Sequence, residues 1–293
     1  MFWLIITILA YFLFAVVSLT DRYLLIGPPN PKIYTFYIGV LGILVLFLIP
    51  FVGFSIPDYF EIIFCLITGI IYTFFLLGLF EGLERFEASR VIPAIGGFLP
   101  VFTLGLAYFF SGGKEILDLK GILAFIPLVL GSVLISWRSS MRISLKSLQI
   151  SVVTAFLLSL TFVLSKYVYL ILPFWTGFIW IRIGVFLTAI FFLFTKQVRK
   201  EVFSGVFAFS KKTGAFFLFN QAIGAGAFVL QNWAIALAGL VYLSVINALQ
   251  GIQYVFLFVL TILFLKEGRA KKIIFQKIIA ILFIGAGLII LIL

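Results

Sequence analysis

The sequence predicts an all-α membrane protein of ten transmembrane helices arranged as two inverted five-helix repeats. Three observations carry that reading. The chain of 293 residues is 64% hydrophobic and 11% charged, with 38 Phe, more apolar surface than one soluble core of this length can hide. Runs such as residues 1–19 and 278–293 are apolar throughout, and each is long enough to cross a bilayer as a helix. The net charge of +11 sits in short loops between apolar spans, where basic residues set membrane topology rather than bind nucleic acid.

Charged and Pro/Gly-rich breaks divide the chain into spans at about 2–19, 33–51, 59–81, 88–110, 118–137, 149–171, 174–195, 213–236, 241–264 and 274–292. The first follows no basic n-region, so it is expected to be a retained helix rather than a signal peptide. GPPNP at 27–31 separates the first two spans and LP at 172–173 the sixth and seventh. The turn EGLERFEASR (81–90) mixes Glu81, Glu84 and Glu87 with Arg85 and Arg90, the pattern of a self-paired turn. Asp21 and Arg22 are expected to pair in the same way at the end of the first span. The longer breaks are 138–148 and 196–212, and the sequence offers no extramembrane domain.

Internal repeats come next. Gly42 follows Pro31 by eleven residues and Gly184 follows Pro173 by eleven. DRYLL (21–25) matches SKYVY (165–169), AYFFSGGKE (107–115) matches TILFLKE (261–267), and Ala124 and Gly131 recur as Ala280 and Gly287. The units are 1–137 and 149–293, joined by a cytoplasmic linker at 138–148. Because five is odd, consecutive copies enter the membrane in opposite orientations. The loop charges agree. Loops after the odd spans hold Arg22 and Lys32; Arg85 and Arg90; Arg138, Arg142 and Lys146; Lys196, Arg199, Lys200, Lys211 and Lys212; and Lys266, Arg269, Lys271, Lys272 and Lys277. Loops after the even spans hold Lys114 and Lys120. The odd loops are therefore expected in the cytoplasm of a cell-membrane, multi-pass protein, with both termini outside.

These residues resemble the EamA-like branch of the drug/metabolite transporter superfamily. Residues 87–136 are similar to that family's run of Ala-Ser (Ala88-Ser89), Pro-Val-Phe (Pro100-Val101-Phe102), a turn ending in Glu (Lys114-Glu115) and a small-residue closing helix (Gly131). Residues 263–292 are similar to the same stretch in the second copy. The resemblance implies the ten-helix fold and transport of small molecules. The chain departs from the pattern in three ways. Ile252-Gln253 stands where the first copy has Pro100-Val101. Val40 occupies the position matching Arg182, so the arginine often found in the first repeat is here in the second. The termini read as outside, whereas the family's are usually cytoplasmic.

The residues that carry chemistry are few. IWIRIGVF (179–186) sets Arg182 nine residues past Pro173, roughly 13 Å down its span at 1.5 Å per residue. An arginine at that depth costs about 2.5–3.5 kcal/mol on insertion scales. It either faces a cavity and binds a carboxylate or phosphate in its planar fork, or bonds carbonyls or a carboxylate such as Glu61 and locks two helices. Lys166, near the outer end of the sixth span, is either a substrate contact or an interface anchor able to snorkel. At 100° per residue Asn220, Gly224 and Gln231 share a face of the eighth span, with Gln221 and Asn232 beside them. Ser244, Asn247, Gln250 and Tyr254 share a face of the ninth, with Gln253 at its edge. Such amide stripes either pair between helices or line a polar cavity, and Asn247 and Gln250 are the leading candidates. Trp180 and Tyr254, with Trp175, Tyr72 and Trp233, could stack on a flat substrate or a cation. Glu81 is the candidate for proton coupling; with few carboxylates in the spans, counter-substrate coupling and plain facilitated diffusion stand beside it.

The expected function is a secondary transporter of small polar metabolites such as amino acids or sugar phosphates, in a bilayer, with no cofactor, metal or nucleic acid. It works by alternating access around a midplane cavity. A flippase for a lipid-linked substrate, or a non-transporting membrane partner protein, is the alternative. Enzymatic activity is not expected. The chain has no His, which excludes Ser-His and HExxH intramembrane proteases, and Ser165-Lys166 point about 100° apart on a helix, too far for a dyad. The single cysteine, Cys65, can form no intramolecular disulfide.

Overall fold

A computed structural model describes residues 2–24, 31–86, 88–114, 116–136, 144–203, 211–265 and 271–293. The structure is all-helical, with no strand among the described residues. Its helices are α1 (Phe2–Leu24), α2 (Pro31–Gly42), α3 (Tyr59–Arg85), α4 (Ala88–Phe110), α5 (Leu119–Ser136) and α6 (Leu145–Ile171). They continue as α7 (Phe174–Phe191), α8 (Lys196–Phe203), α9 (Lys211–Leu237), α10 (Leu243–Ala248), α11 (Gln250–Leu260) and α12 (Lys271–Ile292). A 3₁₀ segment, Ile43–Phe51, extends α2 and contains Pro50, which lacks the N–H an α-helix needs.

Among the described residues, nine segments are long and apolar enough to cross a membrane. They run through α1, α2 with its 3₁₀ extension, α3, α4, α5, α6, α7, α10–α11 and α12, which makes this a multi-pass membrane protein. α9, at 27 residues, is as long as α3 and α6. Between 22% and 50% of each candidate window is buried, and Phe47, Phe51, Phe109 and Phe194 are all more than three-quarters exposed. Apolar side chains face outward because lipid, not water, surrounds them.

The helices start where the sequence gives capping chemistry. Asp58 opens α3, and the Glu61 carboxylate accepts the Asp58 backbone N–H at 3.0 Å, a capping box. Ser144 opens α6 by accepting from the Ser147 N–H at 3.2 Å. Where helices cross closely the residues are small. Gly184 of α7 faces Leu66 of α3, whose carbonyl oxygen would lie 2.7 Å from a Cβ placed there. Membrane helices pack through such small residues because dispersion, not the hydrophobic effect, draws them together.

Packing is extensive between α5 and α12, α1 and α9, α4 and α6, α3 and α6, α3 and α7, α4 and α10, α1 and α11, and α2 and α7. The two main clusters lie at the α5–α10–α11–α12 seam around Leu128, Leu249 and Ile284, and around Phe162, Ile235 and Leu243 of α6, α9 and α10. Helix boundaries differ from the sequence expectation by a few residues. The larger difference is in the span expected at 241–264, which is two helices interrupted at Leu249. The Asp21–Arg22 pairing, the Glu87 and Arg90 part of the 81–90 turn, and linker residues 138–143 lie outside the described residues or side chains.

Candidate functional site

A cavity of about 250 Å³ lies in the middle of the bundle. It is bounded by Tyr11 and Phe14 of α1, Tyr72, Phe75, Leu76 and Leu79 of α3, Leu99 of α4 and Leu158, Thr161, Phe162 and Ser165 of α6. Ile181 of α7, Phe228, Gln231, Asn232 and Ile235 of α9, Asn247 of α10, and Gln250 and Gln253 of α11 complete it. Most of these sit away from the ends of their helices. Its wall is aromatic and aliphatic with a few amides and hydroxyls, the make-up of a small-molecule site.

The α10–α11 break supplies much of its polarity. At Leu249 the regular ladder gives way: the Ile252 N–H bonds the Leu249 carbonyl at 2.9 Å, a three-residue rather than four-residue step. Side chains serve two carbonyls there. Tyr11 donates its hydroxyl to the Ile246 carbonyl at 2.9 Å, and Ser132 donates to the Ala248 carbonyl at 2.6 Å. Irregular backbone at membrane depth is tolerated where protein side chains take up the freed groups.

Of the amides expected to line a cavity, Gln231, Asn247 and Gln250 do so. Asn247 is fully buried and its amide nitrogen donates to Thr103 at 2.8 Å. Gln250 Oε1 and the Tyr254 hydroxyl converge over Gly96 of α4, 3.8 and 3.9 Å from where a Cβ would sit. Among the described residues, the oxygens of Asn247, Gln250 and Tyr254 are buried without a hydrogen-bond partner. Asn232 also lines the cavity, but its amide is satisfied within the protein, accepting from the Tyr169 hydroxyl at 2.8 Å and donating to the Phe228 carbonyl at 2.9 Å. Asn220 is buried in α9 outside the cavity lining.

Arg182 lies just behind the lining. Its guanidinium carbon stands 4.5 Å from the centre of the Phe228 ring, and Tyr72 and Tyr169 are its electrostatic neighbours. The other side of the guanidinium rests against Gly42, where a Cβ would come within 3.2 Å of Cζ. Nη1 is buried with no hydrogen-bond partner. Glu61, the carboxylate that could have neutralised it, caps α3 instead. A buried guanidinium stacked on an aromatic face, with no carboxylate paired to it among the described residues, is able to take an anionic group.

The remaining candidates fall elsewhere. Lys166 is 6% exposed and donates to the Ala236 carbonyl at the C-terminal end of α9, at 2.8 Å. Its position along α6 suggested snorkelling; the end of a neighbouring helix, where carbonyls lack intrahelical partners, holds it inside. Trp180 stacks on Phe54 at 6.2 Å, outside the cavity lining. Glu81 is partly buried near the end of α3, also outside it. Tyr11, Thr103 and Phe228 were not singled out in the sequence as site residues. Tyr11 is one of three hydroxyls, with Thr7 and Ser18, in a mainly apolar span, a weak signal; Phe228 is one of 38 phenylalanines and carries none.

No family model matches the chain, and no curated protein matches it. Among solved structures 28 chains match. One of them, described as the crystal structure of a protein, superposes with a TM-score of 0.69 at 16% identity, covering 98% of this chain and 94% of its own. At that identity the likeness concerns the fold.

Proposed function

We propose that the protein is a secondary transporter of small polar metabolites such as amino acids or sugar phosphates, of the EamA-like kind, with ten spans in two inverted repeats. α9 is the tenth span, and residues 1–137 and 149–293 are the repeats. The observation that carries the reading is the central cavity, which takes residues from both halves and brings buried amide oxygens close to an arginine, neither having a protein partner of opposite kind (donor or carboxylate) among the described residues. A closed structural core has no use for such groups, since each buried unpaired oxygen costs about 1–3 kcal/mol.

The packing pattern supports the repeats. Under the correspondence of the two halves, α2 packs on its counterpart α7, α4 on α10, and α5 on α12. The α1–α9 pair has its equivalent in α6–α3, and α4–α6 in α11–α1. Two relations are unmatched: α3 packs along α7 and α5 along α10–α11, whereas their counterparts, α9 with α2 and α12 with α4, make no extensive contact among the described residues. In an alternating carrier such a difference is what separates the closed side from the open one. The protein would sit in the cell membrane with its odd loops cytoplasmic and both termini outside, as the loop charges favour.

The cavity draws its lining from eight helices, which supports a carrier; a flippase for a lipid-linked substrate or a non-transporting membrane partner is the alternative. The test is thermal unfolding of the detergent-purified protein against a library of amino acids, sugar phosphates, nucleotides and organic cations. A ligand at about 100 times its Kd adds about 2.7 kcal/mol. A stabilising ligand that also crosses the membrane of reconstituted liposomes is the expected result. If no library member stabilises the protein, the carrier reading fails.

A further inference from the structure

The orientation of the Asn247 amide is set by a residue outside the cavity lining. Thr103 of α4 has one hydroxyl proton and donates it to the Leu99 carbonyl at 2.8 Å. Toward Asn247 it is therefore an acceptor, and the Asn247 amide nitrogen donates to it at 2.8 Å. This contact settles which way round the amide lies. The nitrogen points to Thr103, and Oδ1, buried and without a protein partner, points elsewhere on a residue that lines the cavity.

Tyr11 of α1 lines the cavity, but its proton goes to the Ile246 carbonyl at 2.9 Å, so its hydroxyl offers the cavity an acceptor rather than a donor. Gln250 Oε1 adds a further buried oxygen with no partner.

We propose that Thr103 is a positioning residue that holds Asn247 with its oxygen toward the ligand, and that the ligand meets this acceptor wall with a protonated primary amine. The inference rests on the cavity being the substrate site. An amine fits better than a metal cation. The carbonyls that would complete an oxygen shell, Ile246 and Ala248, are occupied by Tyr11 and Ser132, and no carboxylate lines the cavity among the described residues. Aromatic faces such as Phe75 and Phe162 line the remainder and suit an ammonium. With Arg182 on the α3–α7 side, the ligand is positive at one end and negative at the other.

The test measures binding of two matched sets of probes to the purified full-length protein by calorimetry and thermal unfolding. L-amino acids form one set. The 2-oxo acids of the same side chains form the other, keeping the carboxylate and replacing the amine with an acceptor. The amino acids should bind roughly 10- to 100-fold more tightly, the effect of a hydrogen-bonded charged donor. Thr103→Val should reduce that preference below about threefold, and Thr103→Ser, which keeps the hydroxyl, should retain it. Thr103→Ala reads the same property at Asn247 should Thr103→Val fail to fold. Equal or tighter binding of the 2-oxo acids overturns the proposal. So does a Thr103→Val protein that weakens both sets alike, or stabilisation by sodium chloride over choline chloride with no amine present. Binding by neither set also overturns it, while the transporter reading survives if sugar phosphates bind.

Discussion

Gly131 of α5 sits directly against Ala280 of α12: a Cβ on Gly131 would come within 3.0 Å of the Ala280 carbonyl oxygen. The contact is reciprocal. Gly287 of α12 meets Ala124 of α5, with the Ala124 carbonyl 2.9 Å from where its Cβ would be. Ala124 and Gly131 match Ala280 and Gly287 in the sequence, so each glycine lies on the alanine of the other proposed repeat, the reciprocity that a two-fold relation between the repeats would require.

Gly131→Ala is therefore expected to destabilise the protein by about 1–3 kcal/mol, since the methyl would also meet Ile284 Cγ1 at 2.6 Å. Gly285→Ala, on the same helix as Gly287 but with nothing within 4 Å, should be neutral or slightly stabilising. Thermal unfolding in detergent compares them. Equal effects of the two would argue against the close crossing.

Lys166→Met should cost about 1.5–3 kcal/mol of stability by removing the charged donor from the Ala236 carbonyl. Because the ammonium closes a helix end rather than facing the cavity, the Kd of any ligand should change less than about threefold. A large affinity loss without a stability loss would make Lys166 a substrate contact.

Sidedness can be read by cysteine labelling, because native Cys65 is fully buried and should stay silent. Lys114→Cys, at the exposed turn after α4, should react with an impermeant maleimide in intact cells. Lys200→Cys, exposed on α8, should react after permeabilisation. The opposite pattern would invert the proposed topology.

How much of this was legible in the sequence depended on how local each cause is. Apolar runs, Pro173 and the Asp58 cap place helices from their own residues, and the helix-face stripe found Asn247, Gln250 and Gln231. The break at Leu249 was not legible: a leucine marks no interruption, and the Tyr11 and Ser132 hydroxyls that make it tolerable come from distant helices. The depth of Lys166 was readable, but the helix end that receives it was not. Thr103 shows the same limit, since its role exists only through the proton it gives to Leu99 and the amide it receives from Asn247.

The account stands most directly on Arg182. The decisive measurement is ligand-induced stabilisation and liposomal transport for the wild type and for folded Arg182→Ala and Arg182→Lys variants. The account predicts that the anionic ligand stabilising the wild type fails to stabilise Arg182→Ala, that transport falls at least about tenfold, the loss of one charged hydrogen bond, and that Arg182→Lys recovers part of both. If Arg182→Ala binds and transports that ligand as the wild type does, the arginine is a helix lock and the proposed site is wrong.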